Sequence, residues 1–100
     1  MQSKLICRKE FDQGKHCITV SLSNTEKGIV ATVSVAEREG NFLTHKLYED
    51  YCVREVIAPR AGRVTEKLKV SMYSQLPEIL ERHLTAIKHQ YPNLGAHHGT

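Results

Sequence analysis

Residues 52–70 read CVREVIAPRAGRVTEKLKV, and the reading of this stretch decides the fold. Two runs rich in β-branched residues flank Ala58-Pro59-Arg60-Ala61-Gly62-Arg63, whose proline and glycine favour a turn. The pattern predicts a β-hairpin. With a four-residue loop, Ala58 faces Arg63, Val56 faces Thr65, Arg54 faces Lys67 and Cys52 faces Lys69. Arg54, Arg63, Lys67 and Lys69 then share one side, while Tyr51, Val53, Ile57, Val64, Leu68 and Val70 share the other. This register sets Glu55 opposite Glu66, which is unfavourable by up to about 1 kcal/mol. A three-residue loop instead sets Arg54 against Glu66 and Val56 against Val64, and neutralises the basic stripe. One residue of slip exchanges the faces, so the register decides which side chains meet solvent together.

Upstream, the chain advances in steps of two. Runs at 4–11, 16–23, 29–37 and 42–51 alternate between apolar and polar residues, separated by the turn sequences DQGK, NTEKG and REGN. Short turns between alternating runs predict an antiparallel meander. The third run is apolar or small on both faces (Ile29, Ala31, Val33 and Val35 on one, Val30, Thr32, Ser34 and Ala36 on the other), which places it centrally. Residues 47–57 are ambiguous. Tyr48, Tyr51, Cys52, Glu55 and Val56 would share a helical face, whereas Val53, Val56 and Ile57 favour strand; the expectation is strand with a bend near Asp50.

The period changes near the end of the chain. Leu76, Ile79, Leu80, Leu84, Ile87 and Tyr91 fall at helical spacing with His83 in the stripe. Ser74 is a candidate N-cap, Pro77 suits the first turn, Glu78 and Arg82 are four apart, and Pro92 stops the helix. The expected fold is therefore α+β: an antiparallel sheet of about five strands in a meander, followed by one C-terminal amphipathic helix packed on one sheet face. Residues 1–94 form a single domain and residues 95–100 a flexible tail.

Composition narrows function mainly by exclusion. The net charge of +3 permits an anionic partner without requiring one. No apolar run approaches the roughly 18 residues that span a bilayer, and the first ten residues lack the apolar core of a secretory signal, so a cytoplasmic location is expected. Three cysteines, an odd number, point to reduced thiols. The chain has no glycine-rich phosphate loop, no nucleophile elbow and no zinc-ligand spacing, so no catalytic residue, cofactor or metal is expected. The reading is a non-enzymatic binding module, a small regulator, inhibitor or adaptor acting through a protein partner. Its candidate partner-binding residues are Arg54, Arg60, Arg63, Lys67, Lys69 and Tyr48. The alternative is single-stranded nucleic acid, with the basic hairpin face tracking phosphates and tyrosines stacking on bases. A homodimer is expected as well, because one helix covers only one face of the sheet.

Overall fold

The computed structural model describes residues 3–39, 42–44, 51–92 and 94. The element order is β1 (Lys4–Gln13), β2 (His16–Thr25), β3 (Gly28–Glu39), β4 (Phe42–Thr44), β5 (Cys52–Ala58), α1 (Glu66–Tyr73) and α2 (Leu76–Gln90). The strands form one antiparallel sheet with the path β1-β2-β3-β4, an α+β architecture. β5 does not extend the meander past β4. It returns to β3 and pairs over Ile29–Ser34, while the three residues of β4 pair only with Glu37–Glu39. The tail at 95–100 and Tyr48 lie outside the described residues.

Two-residue turns set the register of the first three strands. Gly14 (φ 67°) sits at the first turn position after Gln13 and supplies the left-handed backbone that such a hairpin requires. The second turn closes at Thr25 and Gly28, with the Thr25 hydroxyl accepting from Lys27 N–H and donating to Gly28 O. Ile18, Val20 and Leu22 of β2 thereby align with Val35, Val33 and Ala31 of β3. All six are fully buried beneath Leu76, Ile79, Leu80 and Ile87 of α2.

The expected second arm of the hairpin is helical. Thr65 caps α1, its Oγ1 accepting the Leu68 N–H at 3.1 Å, and Glu66 in the first turn complements the helix dipole. Val64, Leu68 and Met72, four apart, are half-buried against the core, while Val70, which the hairpin placed inside, is 70% exposed. Period four prevails over period two, and the repulsion of Glu55 by Glu66 never arises. The connection from β5 is held by Asn24, whose amide donates to Ala61 O at 2.8 Å and accepts from Ala61 N–H at 3.0 Å.

α1 and α2 are separate helices because of Pro77. It has no N–H to bond the Tyr73 carbonyl, and its ring crowds that group, so the first helix ends and a second begins. Ser74 is consequently the C-cap of α1, with Oγ donating to Ser71 O at 2.7 Å, and not the N-cap of α2. Gln75 holds that position without a side-chain cap bond.

Gly28 is where the β2–β3 turn meets β5. Its φ is +133°, and a Cβ there would lie 2.5 Å from Ala58 O. Gly28→Ala is therefore expected to destabilise the fold by about 2–4 kcal/mol in a urea titration, from backbone strain and displacement of β5. Gly62→Ala, whose Cβ would meet nothing within 4 Å, should stay within about 1 kcal/mol of the parent.

Candidate functional site

The basic residues singled out in the sequence do not converge. Arg54 lies on β5, cross-strand from Thr32 on the sheet face opposite Val53 and Glu55, and is exposed. Arg60 and Arg63 are exposed in the connection between β5 and α1. Lys67 and Lys69 belong to α1, where Lys69 meets Glu66 at 3.3 Å. The continuous basic stripe of the hairpin is replaced by three separate elements, because the segment after Arg63 coils.

What the structure does assemble is an open strand edge beside a groove. Among the described residues no strand pairs with the outer edge of β5. Val35 N–H donates to Tyr51 O, and antiparallel pairing alternates from there. The N–H and C=O groups of Val53 and Glu55 accordingly face β3. Those of Cys52, Arg54 and Val56 face outward. Val56 is 55% exposed. Between this edge and α2 runs a groove of about 470 Å³. Val56, Ile57, Met72 and Ile79 supply its apolar surface, with Glu55, Glu78 and Arg82 as charged rims. On the opposite sheet face a second hollow of about 400 Å³, lined by Val30, Arg54, Val56 and Lys27 among others, borders the same edge.

A polar network fixes β5 against α2. The Tyr51 hydroxyl lies 2.7 Å from His83 Nδ1, and His83 Nε2 lies 3.4 Å from Glu55 Oε1. Glu55 Oε1 also meets Arg82 at 3.4 Å, and the Tyr51 N–H donates to the Tyr91 hydroxyl at 2.9 Å. The arrangement is satisfied when Tyr51 O–H donates to Nδ1 and Nε2–H donates to the Glu55 carboxylate, a tautomer assigned from the network. Arg82 thus serves Glu55 and not the Glu78 four residues before it. Loss of solvent contact, then the charge of Glu55, raises the Tyr51 phenol above its ordinary 10.0. Sequence periodicity did not reveal this network. Its signal is Glu55 on the core side of a strand, together with His83 inside an apolar helical stripe: each needs a partner, and they supply one another.

Away from the helices the sheet face is lined by small and hydroxyl side chains. Ser23 and Val30 form one cross-strand row, Ser21 and Thr32 the next, Thr19 and Ser34 a third. All are half-buried, and among the described residues no tyrosine accompanies them. Tyr51 and Tyr91 are engaged in the network beneath the helix, and Tyr73 stands on α1 beside Lys9. Among the described residues no group of three or more His, Cys, Asp or Glu is placed to hold a metal, and no helix is long and apolar enough to cross a membrane.

The raised Tyr51 phenol has a definite pH signature. The folded chain keeps this proton to higher pH than the unfolded chain, so its contribution is complete below pH 10 and is lost as pH rises further. Tyr51→Phe should cost about 1 kcal/mol at pH 7, where the His83 bond is lost. Chemical denaturation at intervals from pH 9 upward should show the gap between parent and variant narrowing only above about pH 10. A gap that is constant across that range would contradict the assignment. Comparison of the chain with protein-family models, with curated proteins and with solved structures returns no match.

Proposed function

We propose that this domain is a non-enzymatic binding module that grips an extended segment of a partner protein, added as a strand along β5. One observation carries the reading: the outward N–H and C=O groups of Cys52, Arg54 and Val56 border a groove with an apolar floor. An incoming strand finds three residues' worth of backbone donors and acceptors there. Its alternate side chains fall toward Ile79 and Met72 on one side and toward Val30 and Val56 on the other. Main-chain bonding supplies affinity, and the groove supplies selectivity. Arg54 remains a partner-binding residue in this reading, as part of the strand that is paired. Arg60, Arg63, Lys67 and Lys69 lie away from the groove lining. The rigid Tyr51–His83–Glu55 network suits this task, since an edge held in place loses little freedom when a partner adds to it.

A library of random peptides displayed on phage and selected on the immobilised domain tests the reading. Selected peptides should show apolar residues at every second position. Their binding should fall by about tenfold or more in Arg54→Pro, which deletes an outward N–H without removing a bond to β3. Arg54→Ala, which keeps that N–H, should bind within a few-fold of the parent. Peptides that bind Arg54→Pro as tightly as the parent would show that β5 is not their site.

A further inference from the structure

The outer edge of β1 has different chemistry. Gln13 and His16 close the first hairpin, so Phe11, Lys9 and Cys7 bond β2 while the backbone groups of Arg8 and Glu10 face outward. Among the described residues no strand pairs with that edge. Two large exposed apolar side chains of α1, Val70 (70% exposed) and Tyr73 (47%), flank it on the helix side, while Leu5 of β1 (53%), cross-strand from Ser23, lies on the opposite sheet face. Ile6, Cys7, Lys69, Val70 and Tyr73 line a shallow hollow of about 350 Å³ along this border.

We infer that a second copy of this chain pairs along β1, antiparallel about a two-fold axis at Lys9, so that two sheets join edge to edge. The strand's own charges select this register. Outward-facing residues must meet outward-facing residues, so the axis falls on a residue, and near the middle of the regular stretch that is Arg8, Lys9 or Glu10. An axis at Arg8 sets that arginine opposite its copy and brings no opposite charges together within the regular stretch. An axis at Glu10 sets Arg8 opposite Asp12 twice but two carboxylates opposite each other, and a carboxylate has no attraction to an aromatic ring that could draw it aside as an ammonium is drawn. The axis at Lys9 sets Arg8 opposite Glu10 of the second copy, twice, and Cys7 opposite Phe11, twice. Its single like-charge pair is Lys9 itself. That ammonium is drawn aside, 5.2 Å from the centre of the Phe11 ring and 5.7 Å from that of Tyr73. Within one copy Arg8 and Glu10 already meet at 2.7 Å, and both remain exposed enough to bridge to a neighbour. The bulge between Leu5 and Cys7 ends the regular pairing, leaving five residues per strand.

Sedimentation equilibrium of the intact chain over a concentration series tests the inference. A dimer is expected. Arg8→Glu alone and Glu10→Arg alone should each weaken it by roughly tenfold or more, because each sets like charges opposite one another twice. The double exchange Arg8→Glu/Glu10→Arg should return the dissociation constant to within about threefold of the parent, which loss of the fold cannot imitate. A monomer at every concentration overturns the inference. So does a dimer indifferent to both single changes, a double variant as weak as the singles, or a dimer abolished by Arg54→Pro but untouched at position 8.

Discussion

The far edge of β3 carries two strands in succession, and the shape of the protein depends on that sharing. β4 takes only Glu37–Glu39, and β5 takes Ile29–Ser34. Had β5 continued the meander outward, it would have lain beyond β4. Because it returns to β3, its own outer side is left exposed as a sheet edge. The return is sterically exacting. At the β2–β3 turn, the backbone of Gly28 comes so close to Ala58 O that no side chain fits. The chain leaving β5 is then fixed by Asn24, which satisfies both the N–H and the C=O of Ala61 as another strand would.

Burial of the helix-side face supplies most of the driving force. It is one layer of aliphatic side chains from β2 and β3 against one stripe of α2, with no buried polar or charged residue among the described residues of the layer. At its border, where β5 meets the middle of α2, a polar network forms. There Tyr51, His83, Glu55 and Arg82 satisfy one another, because a half-buried imidazole or carboxylate without a partner would cost more than the contact returns. The Arg82–Glu55 pair is largely solvated and contributes little stability. The value of the network is positional: it holds the strand edge in one place relative to the helix.

Strands β1 to β3 and helix α2 were legible in the sequence because each has a long periodic signal and one buried face. Residues 64–70 were not, since seven residues support two periods at once. Val64, Leu68 and Val70 alternate like a strand, while Val64, Leu68 and Met72 repeat like a helix. Thr65 ahead of Glu66 was the local clue to a helix start, and the Asn24 anchor on Ala61 is a tertiary fact no window reveals. The continuous basic stripe failed to form for a related reason. Side-chain charge pointed to a basic stripe, yet the open features are backbone groups on β5, and backbone groups leave no mark in composition. The return of β5 to β3 likewise lay beyond pattern reading, because the alternation of a strand is silent about its neighbour.

The β1 and β5 edges of the sheet are not equivalent, and the difference follows from charge order along each strand. A strand pairs with its own copy when reversal of its sequence brings opposite charges together. β1, with Arg8 and Glu10 on the same face two residues apart, meets that condition. β5 does not: its outward positions, Cys52, Arg54 and Val56, hold a single charge, so no two-fold axis sets opposite charges together there. Nor is β5 flanked by a flat apolar border; it opens on a groove shaped by Ile79, Met72 and the rims of Glu78 and Arg82. An edge whose charges give its copy no attractive register and that adjoins a groove is suited to a foreign segment, whereas an edge with alternating charge and an apolar border is suited to its twin. The strand with no attractive register for its twin is therefore the one we propose for a foreign segment.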